Sequence, residues 1–276
     1  MSESYSVLMS VYHKEKPEYL RESMESIYNQ TIPTDNFVLV CDGPLNPELD
    51  AVIAEMQEKF GDKLYVHRLP KNGGLGNALN EGMKYCKNEY ISRMDSDDIS
   101  RSNRCEKELI YLEAHPEISI VGGIIEEFIS DIDSVCSKRI VPEYDFEIRQ
   151  FARKRNPFNH VSVMYRKQDV EISGGYQSFF LLEDYYLWIR MLSKGFKGHN
   201  IQIPLVWVRV GKDMYARRGG WEYVKSQYRL LKYMRQINFI TRNELFMQSV
   251  VRIIGTLIPG WMRGFIYRNF LREVNS

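Results

Sequence analysis

The sequence predicts an α/β fold in which a Rossmann-like, mixed and mainly parallel sheet is flanked by helices and followed by a C-terminal helical extension. Short apolar runs alternate with helix-like stretches through the first hundred residues, which indicates right-handed βαβ units. A mixture of short strands and helices follows residue 101. From Gly220 onward the apolar residues recur at helical spacing.

Four strands are predicted in the first hundred residues. They are Ser6–Val11, Phe37–Cys41, Leu64–Leu69 and Glu89–Met94, and the helices between them are Glu18–Asn29 after Pro17, Pro47–Phe60 and Leu75–Cys86. In open parallel sheets, ligands bind beyond the carboxyl ends of the strands. Tyr12, Asp42, Asn72 and Asp95 would emerge there, so we expect a ligand site at this edge of the sheet.

The second half is expected to be mixed. Its predicted helices are Arg101–His115 and Glu183–Lys194, its predicted strands are Ile118–Gly122, Ile124–Ile129 and Val161–Tyr165, and the tail helices are broken at Gly255 and at Pro259-Gly260. This pattern predicts a main domain over residues 1–215, divided into halves 1–100 and 101–215. A helical extension is predicted over residues 216–276.

The composition is that of a globular protein. Of 276 residues, 44% are hydrophobic and 26% are charged, which favours neither disorder nor a protein that spans a membrane repeatedly. The four cysteines form no CxxC pair, which argues against a zinc site or a disulfide framework. The first ten residues lack the basic and apolar regions of a signal peptide. We therefore expect a cytoplasmic protein, with no nucleic-acid partner.

The tail carries a concentrated positive charge. From Arg217 to Ser276 there are eleven Lys or Arg residues against three Glu, a net charge of +8, whereas the rest of the chain is at −7. Between Arg252 and Arg263 lie only ten uncharged residues, and a bilayer span needs about twenty. We expect this segment either to lie on an anionic membrane surface, at the inner face of the cell membrane, or to pack on protein, including a second copy in a homodimer.

Acidic residues cluster after the fourth predicted strand, at Asp95-Ser96-Asp97-Asp98. Three carboxylates within four residues repel one another unless water or a cation compensates. Mg²⁺ or Mn²⁺ binds through one or two carboxylates and keeps positions open for phosphate oxygens. The alternative for the motif alone is a solvated turn in which Asp97 or Asp98 caps the next helix.

Two further motifs are candidates for function. Lys71-Asn72-Gly73-Gly74-Leu75-Gly76-Asn77 follows a strand and opens a helix, so its amides can approach an anionic ligand; a structural glycine turn is the alternative. Glu183 and Asp184 lie in an apolar stretch at a predicted helix start. Burial raises the pKa of a carboxylate and suits it to accept a proton from a hydroxyl group, and helix capping is the alternative.

Together these motifs resemble the family 2 glycosyltransferases with the GT-A fold. The matching segments are Ser6–Tyr12, Asp42-Gly43, Asn72–Gly76, Met94–Asp98 and Glu183-Asp184, in this order and within Tyr5–Arg209. The ordered set is far more specific than any one motif. Asn156–His160 also resembles the bacterial polysaccharide and lipopolysaccharide branch. Ser10 stands where the family commonly has proline, which is expected to alter the strand exit slightly and to leave nucleotide binding intact.

The resemblance implies a role for each matching residue. The nucleotide-sugar site would comprise Val11, Tyr12, Glu15, Asp42, Lys71, Asn72, Gly73, Asn77, Asp95, Ser96 and Asp97. Within it, Val11 and Tyr12 would flank the base, Glu15 would lie near the ribose or base, Asp42 would accept a hydrogen bond from the base, and Asp95 would touch the ribose side. Asp97 would hold Mn²⁺ or Mg²⁺ on the diphosphate, with Asp98 supporting the turn or approaching the sugar.

In the acceptor half, the resemblance assigns Asp184 as the general base and Glu183 as its neighbour. His160 and Trp188 would contact the acceptor, with a buried structural histidine and a core tryptophan as the alternatives.

The expected activity is inverting transfer of a sugar from a nucleoside-diphosphate sugar, UDP-linked, to a hydroxyl of a saccharide or lipid-linked saccharide in cell-surface polysaccharide synthesis. One alternative is a sugar-1-phosphate nucleotidyltransferase, which would need a basic glycine-rich loop that Tyr12–Glu15 does not supply. Another is a non-catalytic sugar-nucleotide-binding subunit of an assembly complex. The intact Asp97 and Asp184 argue against that role.

Overall fold

The first hundred residues form the predicted alternation of strands and helices. The computed structural model describes residues 4–211 and 220–257. Its first strands are β1 (Tyr5–Val11), β2 (Asn36–Cys41), β3 (Leu64–Arg68) and β4 (Tyr90–Asp95), connected by α1 (Pro17–Tyr28), α2 (Pro47–Phe60) and α3 (Leu75–Met83). Proline begins α1 and α2, where a missing amide hydrogen costs nothing. The Asn46 side chain also caps α2, accepting a hydrogen bond from the Leu49 amide.

The second half adds strands of both directions. Its elements are β5 (Ile99–Ser100), α4 (Arg104–Ala114), β6 (Ile118–Phe128), β7 (Val135–Arg139), α5 (Asp145–Ala152), β8 (Met164–Arg166), α6 (Lys167–Ile172), α7 (Glu183–Ser193) and β9 (Lys197–Arg209). In the described residues they complete one nine-stranded sheet of order β3-β2-β1-β4-β8-β6-β9-β5, with β7 paired to β6. Most paired residues lie in the parallel ladders, so the predicted mixed, mainly parallel sheet is confirmed.

Three predicted strands differ from the structure. The runs Ile118–Gly122 and Ile124–Ile129 form one continuous strand, Ile118–Phe128, and Asn200 Oδ1 occupies the space beside Gly122, where an added Cβ would meet it at 2.7 Å. Val161–Tyr165 is not a single strand, since residues His160–Ser162 make a 3-10 turn and β8 begins at Met164.

Side chains from the two faces of the sheet form two apolar cores. Alternation along β1 sends Val7 and Met9 into the first core, with α1, α2 and α4, and Leu8 into the second, with α3 and α7. The helix α8 (Trp221–Gln236) belongs to the second core through Leu230 and Met234. The first tail helix therefore packs on the main domain.

The helix α9 (Arg242–Leu257) follows and is attached by Glu244, which accepts two hydrogen bonds from the Arg153 guanidinium. None of the described helices is both long and apolar enough to span a membrane. The predicted helix break at Gly255 is wrong, because α9 continues through this residue to Leu257. The predicted boundary between residues 215 and 216, the break at Pro259-Gly260 and residues 258–263 lie outside the described residues.

Candidate active site

The acidic turn at the end of β4 gathers three carboxyl groups. One ligand oxygen from each of Asp95, Asp97 and Asp98 lies within 4.8 Å of the others. Burial, followed by the charges of Asp95 and Glu15, raises the pKa of Asp97 to about 7. Burial and the charges of Asp97 and Asp95 raise the pKa of Asp98 well above its usual range. A positive charge placed among these groups would relieve their repulsion.

The three carboxylates differ in their hydrogen-bond partners. Asp95 accepts two hydrogen bonds from the Arg93 guanidinium, one of them 2.7 Å long. Asp98 accepts one from the Arg209 backbone amide at 2.8 Å. Within the described residues, only the backbone amide of Asp97 itself donates a hydrogen bond to the Asp97 carboxylate, and its side chain is partly exposed. This set of oxygen donors fits Mg²⁺ or Mn²⁺, with Asp97 as the group best placed to be a ligand.

Arg93 is a functional candidate that the sequence analysis missed. Its side chain is 1% exposed, and its Nε is buried without a hydrogen-bond partner among the described residues. Arg93 and Asp95 are two residues apart on β4, so their side chains share a face of the sheet. Burial raises the pKa of Asp184 and lowers that of His160, and the Arg93 charge adds a smaller, lowering effect on both, so Arg93 lies within electrostatic range of these two residues. The available signal was an arginine within an otherwise uncharged run from Tyr90 to Met94.

We expect Arg93→Met to reduce the free energy of unfolding by about 2–3 kcal/mol, because it leaves the Asp95 carboxylate beside two further carboxyl groups without its cationic partner. Urea denaturation measures this. The double variant Arg93→Met/Asp95→Asn should recover part of the loss. Arg68→Met removes an exposed pair with Asp50 and is expected to cost less than about 1 kcal/mol. Equal losses at Arg93 and Arg68 would contradict a larger role for the pair that the buried Arg93 forms with Asp95.

The glycine loop binds protein groups as well as lining the site. The Asp42 carboxylate accepts hydrogen bonds from the amides of Gly73 at 2.7 Å and Gly74 at 2.9 Å. These two amides are therefore turned toward Asp42, which corrects the expectation that they are free to meet a ligand. Gly43 has φ +89°, and a Cβ there would meet the Asn72 amide nitrogen at 2.6 Å. Glycine at 43 lets the two loops approach, while Lys71, Asn72 and Asn77 remain exposed.

The loop after β1 is tied to the acidic turn. Ser96 Oγ donates a hydrogen bond to Glu15 Oε2 at 2.7 Å, so two predicted nucleotide-site residues from distant parts of the chain meet. Val11 is buried in the first core, and its carbonyl accepts a hydrogen bond from the Asp42 amide at 2.8 Å. Tyr12 is partly exposed. Of the predicted pair, Tyr12 is thus the residue whose side chain can meet a base.

Glu183 and Asp184 begin α7. Asp184 accepts hydrogen bonds from Asn156 Nδ2 at 2.5 Å and from the Tyr185 amide at 2.7 Å. Burial raises the pKa of Asp184 above its usual range and that of Glu183 to about 7. A Cβ on Gly76 would lie 3.0 Å from Glu183 Cγ, so glycine at this position lets the acid pair pack against the start of α3.

Near Asp184, the structure adds one residue that had no role assigned from the sequence and corrects the role of another. Asn156 received no role beyond the resemblance, yet it holds the Asp184 carboxylate. His160 Nε2 lies 2.9 Å from the Tyr176 hydroxyl, and burial together with Arg93 lowers the His160 pKa well below its usual value, so the ring is neutral. Trp188 is 0% exposed in the second core. It is therefore a core tryptophan, which corrects the expectation that it contacts the acceptor.

The sequence of this chain matches a family of known proteins. The family model described as glycosyl transferase family 2 matches residues 6–171. The chain belongs to glycosyl transferase family 2. An Erwinia amylovora protein named amylovoran biosynthesis glycosyltransferase AmsE is 40% identical over 268 residues, which cover 95% of this chain and 97% of that protein. An Escherichia coli UDP-Gal:alpha-D-GlcNAc-diphosphoundecaprenol beta-1,3-galactosyltransferase is 35% identical over 269 residues, covering 98% of this chain and 97% of that enzyme.

Solved structures show the same fold at low sequence identity. The Pyrobaculum calidifontis mannosyltransferase PcManGT, in complex with GDP-Man and Mn²⁺, matches with a TM-score of 0.65 and 14% identity, over 95% of this glycosyltransferase and 72% of that chain. S. aureus TarS residues 1–349, in complex with UDP-GlcNAc, match with a TM-score of 0.63 and 14% identity, over 97% and 72% of the two chains. The predicted GT-A fold is thereby confirmed.

Proposed function

We propose that this glycosyltransferase moves a sugar from a UDP-linked donor to a hydroxyl of a lipid-linked saccharide, with inversion at the anomeric carbon, in the synthesis of a cell-surface polysaccharide. One observation carries the proposal: the acidic turn, whose Asp97 carboxylate accepts no hydrogen bond from another described residue, and the partly buried acid pair Glu183-Asp184 both lie within electrostatic range of Arg93. The E. coli relative, by its name, uses UDP-Gal and a diphosphoundecaprenol-linked acceptor. TarS was solved with UDP-GlcNAc.

The proposed mechanism assigns proton transfer to Asp184. Its carboxylate takes the proton of the acceptor hydroxyl while that oxygen attacks the anomeric carbon, and the bond to the nucleoside diphosphate breaks on the opposite face with its electron pair on the leaving oxygen. Asn156 holds Asp184 in place, and Glu183 lies beside it. Mn²⁺ or Mg²⁺, when bound at Asp97, supplies positive charge to the departing diphosphate.

The proposed donor site lies at the edge of the sheet where the parallel strands end. Tyr12 would stack on the base, with Asp42 accepting from it through the lone pairs that Gly73 and Gly74 leave free. Glu15 and Ser96, which are hydrogen-bonded to each other, would contact the ribose together with Asp95. Lys71 and Asn72 are exposed on the neighbouring loop and Asn77 on the first turn of α3, where they can meet the donor from its other side.

A donor screen tests this function. The protein is incubated with single nucleotide sugars, with Mn²⁺ or with a chelator, and hydrolysis or binding of each is measured. Release of UDP from a UDP-sugar supports the proposal. Formation of a nucleotide sugar from a sugar 1-phosphate and a nucleoside triphosphate would identify a nucleotidyltransferase instead. Tight binding with no turnover on any acceptor would identify a binding subunit.

We further propose that the tail contacts an anionic membrane surface. Helix α9 exposes an apolar face, at i, i+4 and i+7 spacing for Phe246, Val250 and Ile253, with Met247 and Val251 beside it. Phe246 is 68% exposed and Val251 is 58% exposed. Such a face, followed by the basic segment up to Arg263, is suited to the interface of a bilayer or to a second copy of the chain.

Liposome flotation separates these outcomes. The full-length protein is expected to float with phosphatidylglycerol vesicles at low salt and to be released at high salt. Phe246→Ser/Val251→Ser should float several-fold less, since it removes exposed apolar area from α9. Phe146→Ser, at a 70% exposed position on α5, should float like the wild type. A full-length protein that stays at the bottom, and is dimeric by mass photometry, would show that this face is a dimer contact.

A further inference from the structure

A small cavity lies between helix α8 and the loop that leads into α7, the helix that the acid pair begins. It has a volume of about 270 Å³ and is lined by Phe180, Glu222, Lys225, Ser226 and Arg229. Two contacts hold its walls together. Ser226 Oγ donates a hydrogen bond to the Phe180 carbonyl at 2.7 Å, and the Arg229 guanidinium lies 4.4 Å from the centre of the Phe179 ring. The cavity is thus part of the folded catalytic unit, and its size suits a phosphate or diphosphate group better than a whole nucleotide.

The charges around the cavity favour an anion. Lys225 and Arg229 are one turn apart on α8, both are exposed, and within residues 4–211 and 220–257 neither forms an ion pair. Among the described residues that line the cavity, Glu222 is the single acid. Two neighbouring cations that have no acidic partner in the described part of the chain form a surface that phosphate oxygens can neutralise through charge-assisted hydrogen bonds.

Exposed apolar side chains border these cations. Phe180 is 48% exposed and Leu181 is 38% exposed in the loop, and Trp221 is 63% exposed one turn before Lys225. Leu181 has φ +57°, a conformation that non-glycine residues adopt only where the surroundings impose it. A ligand that fits both features has an anionic group joined to a hydrocarbon chain.

The cavity is close to the proposed base along the chain. Phe180 is four residues before Asp184, so their Cα atoms are at most about 14 Å apart. An acceptor whose diphosphate lies in the cavity can therefore present the hydroxyl of the sugar next to that diphosphate to Asp184. A diphosphate bound on the far side of the sheet would be too distant for the adjoining sugar to reach Asp184.

We propose that Lys225 and Arg229 bind the diphosphate of a polyprenyl diphosphate-linked acceptor, and that Phe180, Leu181 and Trp221 contact the beginning of its hydrocarbon chain. This inference rests on the proposed function, since it supplies the acceptor end of the same site. It also separates the acceptor cations on α8 from Lys71, the cation of the proposed donor site, because the proposed donor residues follow the carboxyl ends of β1, β2, β3 and β4. The headgroups of anionic membrane lipids are the competing occupant.

The test measures binding of decyl diphosphate by calorimetry, with UDP and Mn²⁺ saturating so that the donor site is filled. The wild type is expected to bind decyl diphosphate and to bind neutral decyl maltoside far more weakly. Lys225→Gln/Arg229→Gln should weaken decyl diphosphate binding by about tenfold, the loss expected for two solvent-exposed charge contacts. Lys232→Gln removes an equal, exposed charge from α8 outside the cavity lining, and it should bind like the wild type. Lys225→Gln alone, at an exposed position, shows a partial loss if Arg229→Gln disturbs the fold.

Several results would overturn the inference. Unchanged binding in both cavity variants would do so, and so would an equal loss in Lys232→Gln, since that would reflect the general charge of α8. If decyl diphosphate is not bound in solution while the cavity variants lose affinity for phosphatidylglycerol vesicles, the cations serve the membrane surface. The donor screen is independent of these assays. Turnover of a UDP-sugar without binding of decyl diphosphate would support the proposed function and contradict the inference about the cavity. Binding of decyl diphosphate without turnover of any donor would support the cavity as a diphosphate site and contradict the proposed function.

Discussion

Asp184→Asn is expected to lower kcat by about a thousandfold and to leave the affinity for the nucleotide sugar unchanged. The amide keeps the shape of the side chain and can still meet Asn156, but it cannot take the proton of the acceptor hydroxyl, and general-base catalysis contributes about 10²–10⁴ in rate. Initial rates over a range of donor concentrations give kcat and KM, and calorimetry gives the affinity for UDP. Asp62→Asn is the matched control, because Asp62 is an exposed carboxylate in the turn before β3, at the opposite end of the sheet.

The same assignment predicts the pH dependence. The base acts when ionised, and burial raises the pKa of Asp184, so activity should rise with pH through a value above that of an ordinary aspartate. The hydrogen bond from Asn156 favours the ionised form. Asn156→Ala should therefore move the acid limb of the kcat profile to higher pH and lower the plateau. A fall in nucleotide affinity with unchanged kcat in Asp184→Asn would instead assign Asp184 to the donor site.

Asp97→Ala is expected to reduce the rate of transfer by about a thousandfold. The metal ion that Asp97 would hold places positive charge beside the leaving diphosphate, and this charge stabilises the transition state by several kcal/mol. A second readout follows the ion itself. In the presence of UDP, Mn²⁺ should raise the melting temperature of the wild type and not that of Asp97→Ala, because a ligand stabilises only the form that binds it. Equal activity of the wild type in Mn²⁺ and in chelator would overturn the metal role.

The pKa of Asp97 provides a check that the variant is folded. Its value is about 7 in the folded protein against an ordinary 3.8, so the folded state disfavours the ionised form. This penalty is absent below about pH 4 and complete above about pH 7. Without metal, Asp97→Ala should accordingly melt at the same temperature as the wild type, or higher, at pH 8. A much lower melting temperature would indicate a structural role for Asp97.

The sequence by itself determined the elements whose signals are local. Apolar runs followed by turn residues marked β1 to β4, prolines marked the starts of α1 and α2, and the acidic turn and the Glu183-Asp184 pair were visible as residues whose charge is out of place in apolar surroundings. The strand β9 was not predicted, because its local sequence signal argues against a strand. It contains Pro204, which normally argues against a central strand, and the structure accommodates it where the pairing register with β6 shifts.

Only the tertiary structure decided which polar groups are partners. Arg93 pairs with Asp95 on its own strand, but its influence on Asp184 arises from proximity across ninety residues of chain, as does the bond between Asn156 and Asp184 across twenty-eight. The glycine amides turn to Asp42 because β2 and β3 are neighbours. Trp188 is in the core because α7 packs on the sheet. The residue type determines which bonds a side chain can form. The packing of distant segments sets the burial of that side chain and its distance from other groups, and these determine which bonds it does form.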